Sequence, residues 1–170
     1  MCLGVPAIRA FSQFLNENPE MKNTLLLVAG KNGWNFEESL EAPLKYGVEE
    51  NVKFLGRVPT EDLPALYSGS KGYINISYEE GFGLPLLESM ACGKPSVVSD
   101  IPAHREVGGS LPIYADPHNV ENIKDGIFKI LTSSFDKNLL LDRAQGFSWR
   151  RTVEKTLDVL KKTTGELKHL

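Results

Sequence analysis

Tyr73-Ile74-Asn75-Ile76-Ser77-Tyr78-Glu79-Glu80-Gly81-Phe82-Gly83-Leu84-Pro85-Leu86-Leu87-Glu88 carries the transition on which the fold turns. The opening run, Tyr73 to Ile76, reads as a strand buried on both faces, as short apolar runs in parallel sheets do. Gly81 and Gly83 then let the backbone turn sharply and let a ligand approach where a Cβ would otherwise stand. Pro85 is tolerated only in a first helical turn, so a helix is predicted to start between Gly83 and Pro85. The passage thus reads as strand, glycine turn and helix.

Working outward, four more short apolar runs occur: Leu25 to Val28, Val52 to Leu55, Ser96 to Val98 and Leu111 to Tyr114. The first of these, like Tyr73 to Ile76, reads as covered on both faces. The last contains Pro112, which cannot donate to a ladder and suits an edge. Between the runs lie helical stripes. Val5, Ile8, Phe11 and Leu15 form one, and Val120, Ile123, Ile127 and Ile130 another. A helix from Asn35 to Tyr46 ends before Gly47. Thr60 is read as the N-cap of a stretch holding Leu63, Leu66 and Tyr67, with Glu61 and Asp62 at its positive end. Trp149, Val153, Leu157 and Leu160 make the final stripe, capped by Ser148 and continuing to 170 as a C-terminal helix. Such alternation implies one α/β domain over 1–170, a Rossmann-like doubly wound parallel sheet with helices on both faces. It opens on a helix where a doubly wound unit opens on a strand. The expectation is a chain that begins partway into a longer protein and lacks the first strand.

Composition narrows the function. At 170 residues the chain suits one domain and buries about 70% of its unfolded surface. Nineteen basic residues against 22 acidic ones give a net charge of -3, a poor match to nucleic acid, which needs clustered cations. The longest apolar run, Leu25 to Ala29, is far too short to span a bilayer. Cys2 and Cys92 follow no pairing pattern, which favours a reducing, cytoplasmic compartment. His104, His118 and His169 lack metal-ligand spacing, so no metal site is expected.

In an open parallel sheet, ligands sit beyond the carboxyl ends of the strands. The first-turn amides and dipole of the helix after Gly83 form an anion site suited to phosphate. Glu88 falls about one turn further on, at ~1.5 Å rise per residue, within reach of sugar hydroxyls beside a diphosphate. Glu80 closes the strand and points toward the same crevice. Bland readings stand beside these: the glycines as an ordinary tight turn, Glu88 as a solvated helix residue. The third glycine of the dinucleotide fingerprint is replaced by Leu86, and no Walker loop occurs. Asp100 is read as capping the helix near Ala103, Cys92 as a small packing residue in its helix, and the Trp149 stripe as core or as a face for another domain.

Glu80 to Glu88, followed by Met90-Ala91-Cys92-Gly93-Lys94-Pro95 and Val97-Val98-Ser99-Asp100, closely resembles the signature of retaining glycosyltransferases of family 4. The two glutamates carry that family's E-x7-E spacing. The likeness extends through Ile101 to Gly109 and back to Asn51 to Pro59.

The resemblance implies the carboxyl-terminal, donor-binding half of a GT-B enzyme, two Rossmann-like halves with the active site between them. It places Glu80 near the transferred sugar as the catalytic-site acid, and the backbone of Gly81, Phe82, Gly83 and Leu84 near sugar and diphosphate. It gives Glu88 the ribose hydroxyls and sets Arg57 and Val58 beside the base. Lys31 either reaches phosphate or is an exposed loop lysine. The implied partner is a nucleoside diphosphate sugar; the Gly30-Lys31-Asn32-Gly33-Trp34 stretch favours GDP-mannose over UDP sugars, with no further cofactor. The family's Gly-Arg and downstream Lys, which contact the diphosphate without a metal, cannot be placed in Met1 to Val5, and the N-terminal acceptor-binding domain is missing. The isolated chain is therefore expected to be inactive, and its parent to act at the inner face of a membrane in polysaccharide or glycan assembly. The alternatives are a non-catalytic nucleotide-binding module, a sugar-nucleotide epimerase or a glycogen-synthase-like glucosyltransferase.

Overall fold

The computed structural model describes residues 4–30 and 36–166. Its strands are β1 (Leu26–Ala29), β2 (Val52–Gly56), β3 (Tyr73–Asn75), β4 (Ser96–Ser99) and β5 (Ile113–Ala115). Its helices are α1 (Gly4–Glu17), α2 (Glu37–Tyr46), α3 (Leu63–Gly69), α4 (Leu84–Ala91), α5 (Pro102–Gly108), α6 (Val120–Thr132), α7 (Lys137–Gln145) and α8 (Trp149–Glu166). None of these is long and apolar enough to cross a membrane.

All described strand pairs are parallel, as the alternation requires. They form two sheets, β1 with β2 and β3-β4-β5, rather than the single sheet expected. Register in the larger sheet aligns Ile74 with Val97 and Val97 with Ile113. Successive β4 residues point to opposite sides. Val97 joins the cluster built by Ile8, Phe11 and Phe14 of α1, Ala42 of α2 and Ile123 and Ile127 of α6. Val98 joins Leu86 and Met90 of α4, Val107 of α5 and Leu140 and Ala144 of α7. Two cores therefore cover the two faces, and each fully buried valine contributes about 1.5–3 kcal/mol.

Burial corrects the expectation for the strands. The first run is not covered on both faces: β1 alternates half-buried and exposed residues, and Leu27 is 44% exposed. β3 is half-buried throughout, whereas every residue of β4 is buried. Position rather than apolarity decides this, because β4 lies between two strands and under helices on both sides. β5 is the sheet edge that Pro112 indicated.

Two features lock the layers. Gly126 brings α6 onto β4, where a Cβ would stand 2.8 Å from Val97 Cγ1. Lys124 Nζ donates to both carboxylate oxygens of Glu17, at 2.8 and 2.6 Å, and to Glu121, tying α6 to α1.

Several local readings change. α3 begins at Leu63 with Asp62, not Thr60, in the N-cap position, because Asp62 N–H closes a turn onto the Pro59 carbonyl. Asp100 does not cap α5; Ile101 occupies that position, and Asp100 pairs bidentately with Arg105 at 2.6 and 2.7 Å. Cys92 lies just past α4, as its C-cap, with Sγ 4.0 Å from the Pro64 carbonyl. α7 is an unanticipated helix, started by the Asp136 carboxylate accepting from Asn138 N–H. Ser148 does accept from Arg151 N–H at the start of α8. The α8 stripe is not core: Trp149 is 75% exposed, and Val153, Leu157 and Leu160 are exposed as well.

Candidate functional site

The site assembles where β3 ends and α4 begins. Gly83 takes the N-cap position of α4 with φ +90°, a left-handed conformation that L side chains rarely adopt. Pro85 lies in the first turn, so the helix starts where the glycines and proline indicated. Leu86 and Leu87 N–H both donate to the Gly83 carbonyl, at 3.1 and 3.3 Å, and Pro85 has no N–H. Among the described residues, nothing accepts from the N–H groups of Gly81, Phe82, Gly83 or Leu84. Four adjacent amides at the positive end of a helix thus remain open, an arrangement that attracts anions.

A carboxylate flanks this turn on each side, and each is held by a different element. Asn75, the last residue of β3, donates from Nδ2 to Glu80 Oε1 at 3.2 Å. Tyr67 of α3 donates its hydroxyl to Glu88 Oε2 at 3.1 Å. Burial, reinforced by the neighbouring Glu88 carboxylate, pushes the Tyr67 hydroxyl above the ordinary tyrosine range, so it remains a donor. Glu80 is half-buried and Glu88 exposed, which leaves further lone pairs of both for ligand hydroxyls.

Phe82 packs edge-to-face on Phe147, centroids 5.9 Å apart, and the Arg143 guanidinium stands 5.3 Å over that second ring. Arg57 is exposed and Val58 half-buried, directly after β2. A recess of about 300 Å³ opens there, lined by Arg57, Pro59, Thr60 and Glu61. No hydrogen bond among the described residues joins Arg57 or Val58 to the glutamates. Lys31 and the Asn32-Gly33-Trp34 stretch lie outside the described residues. A larger recess of about 590 Å³ is lined in part by Glu79, Asp100 and Asp116, beside the Tyr78–His118 stack. Its acidic lining makes it a poorer place for an anion than the open amides of α4. No group of His, Cys, Asp and Glu suited to a metal occurs among the described residues.

The sequence reading gave neither Asn75 nor Tyr67 a part in the site. Asn75 ends an apolar run where a polar residue is a usable signal. Tyr67 fits an ordinary helical stripe and gives none.

The model of the family described as glycosyl transferases group 1 matches residues 6–145. The chain belongs to that family. The O-antigen chain mannosyltransferase B of Escherichia coli is 35% identical over 141 residues, covering 80% of this chain and 37% of that one. A D-inositol 3-phosphate glycosyltransferase of Kribbella flavida is 27% identical over 168 residues, covering 92% of this chain and 40% of that one. This group 1 domain therefore spans about two fifths of the length of these two relatives. The solved N-terminal domain of Candida albicans trehalose-6-phosphate phosphatase superposes with a TM-score of 0.79 at 20% identity, over 95% of this chain and 39% of that one. The shared fold is the Rossmann-like half of GT-B glycosyltransferases.

Proposed function

We propose that this domain binds the nucleoside diphosphate sugar of a retaining hexosyltransferase, which passes the sugar to a hydroxyl acceptor during polysaccharide or glycan assembly. One observation carries the reading: open amides at Gly81–Leu84 lie between Glu80 and Glu88, each carboxylate anchored by its own partner. The amides hold the departing diphosphate, since preorganised donors act where charge develops. Glu80, steadied by Asn75, orients the transferred sugar. Glu88, steadied by Tyr67, accepts from the ribose hydroxyls, and the recess at Arg57 takes the base. Lys31 adds a cation to the phosphates.

The donor is GDP-mannose rather than a UDP sugar, a reading supported by the mannosyltransferase name of the Escherichia coli relative. The parent works at the cytoplasmic face of a membrane, joined to an acceptor-binding domain, with no cofactor beyond the donor. The 170 residues alone bind the donor without transferring it. A thermal-shift panel of nucleotides and nucleotide sugars tests the binding, because a ligand selective for the native state raises the melting point. GDP-mannose should give the largest shift. A panel with no shift for any nucleotide sugar would falsify the donor reading, and turnover above a heat-killed control would sink the claim of inactivity.

A further inference from the structure

The chemistry of His104 is unaccounted for by the donor site as described. It is fully buried in α5, and its Nδ1 lies 2.9 Å from the Ser99 carbonyl. A carbonyl only accepts, so Nδ1 carries the hydrogen, and in the neutral ring Nε2 presents a bare lone pair. That Nε2 is buried and has no hydrogen-bond partner. Three buried side-chain atoms are so orphaned among the described residues, and two of them, His104 Nε2 and Ser77 Oγ, flank Ser99. Ser99 Oγ accepts from Ser77 N–H at 2.8 Å while its carbonyl takes the histidine. An orphan of this kind costs about 1–3 kcal/mol and calls for a reason.

The ring lies against the anion end of the site. A Cβ on Gly83 would stand 3.2 Å from His104 Cδ2 and 3.8 Å from Nε2, so the imidazole lies in contact range of the N-cap position of α4. The open amides of Gly81–Leu84 belong to that same turn.

We propose that His104 is a donor-site residue whose Nε2 takes up one proton from solvent when a nucleotide sugar's diphosphate docks on the α4 amides. Nδ1–H keeps the Ser99 carbonyl, and the new Nε2–H faces the anion, so the orphaned lone pair becomes a charged donor. An anion beside a histidine favours its protonated form, and water excluded by the ligand strengthens the pairing.

The surrounding charges do not supply the partner. Asp100 is taken by Arg105, whose guanidinium lies over the Tyr114 ring at 3.7 Å. The Tyr114 hydroxyl donates to the Gly109 carbonyl at 2.7 Å, with the His104 carbonyl 3.2 Å away. From α7, Arg143 donates to the Glu106 and Val107 carbonyls. The other charged residues on the packed elements are Glu106 of α5, Glu88 of α4, Lys137 and Asp142 of α7, and Glu79 and Glu80 of the turn. Of these, Glu88 and Glu80 are engaged by Tyr67 and Asn75, and none bonds to Nε2.

This inference rests on the donor-site reading, and the test separates the two. GDP-mannose is titrated calorimetrically into the full chain near neutral pH, in buffers of widely different ionisation enthalpy; its diphosphate is esterified at both ends and does not titrate there. The expected result is net uptake approaching one proton per ligand, with affinity falling up to tenfold per pH unit through the linked range. His104→Gln should still bind but lose both the uptake and the pH slope. Histidine ring nitrogen spectra of the unaltered chain supply a readout free of folding defects: His104 should pass from the Nδ1–H tautomer to imidazolium as ligand is added. Binding that leaves His104 neutral and the buffers indistinguishable overturns the inference alone. Failure of both GDP-mannose and UDP-glucose to bind overturns the donor site and this inference together.

Discussion

β4 and β1 are both short apolar strands in parallel pairs, yet one is buried at every residue and the other shows Leu27 to solvent. The three-stranded sheet has a helical layer on each side, each with its own cluster of buried side chains. Leu26 and Val28 reach only the first of these clusters, and Leu25 and Leu27 reach neither. The difference shows where rigidity is concentrated. The glycine turn, both glutamates and His104 hang from the doubly covered sheet, whose packing holds the candidate site in place.

The sharpest way to break this contrast is a matched pair of truncations. Leu86→Ala, fully buried in α4, should cost about 2–5 kcal/mol. Leu27→Ala in β1 should stay within about 0.5–1 kcal/mol. Urea unfolding measures both, and equal losses would mean the two sheets are equally well packed. Gly83→Ala comes next, at about 1–3 kcal/mol for the left-handed backbone alone. The His104 ring also crowds the new methyl, so this variant should lose nucleotide binding in calorimetry even when folded.

Glu88→Gln should weaken donor binding about tenfold, near 1.4 kcal/mol. Tyr67→Phe should lose only part of that, about 0.5–1.5 kcal/mol, because Glu88 remains. If Tyr67→Phe loses more than Glu88→Gln, the tyrosine touches ligand rather than steadying the carboxylate.

The smallest effect belongs to the exposed rim. Arg105 holds the Asp100 carboxyl below its ordinary range, chiefly through their hydrogen bonds. A carboxyl whose folded pKa is depressed contributes stability present above its unfolded value, about 3.9, and lost as pH falls through the lower folded value. Melting temperatures of the parent and Asp100→Asn should therefore differ slightly at neutral pH and converge in acid, with the gap shrinking in salt. A gap that widens in acid would contradict the pairing.

Legibility in the sequence followed the range of the physics. The start of α4 is readable because glycine and proline act on the backbone next to them, and the stripes of α1 and α6 because helical period is local. The burial of β4 is not, since Ser96-Val97-Val98-Ser99 is less apolar than Leu25 to Val28 and owes its cover to strands and helices far along the chain. Asp100 looked like a cap because the type is common there, but a bidentate arginine outcompetes one amide. Of the candidate site, the glutamates and glycines stand out by motif. The Tyr67–Glu88 contact spans 21 residues and has no local trace, and His104 shows its place only once α5 folds beneath the turn.

Because Glu80 hangs from a strand through Asn75, and Glu88 is tethered to a separate helix through Tyr67, the two carboxylates beside the glycine turn are positioned by different elements of the chain. The two supports meet where the Tyr67 ring packs edge-on against Tyr73 of β3, centroids 5.7 Å apart, so a shift of that strand reaches both carboxylates.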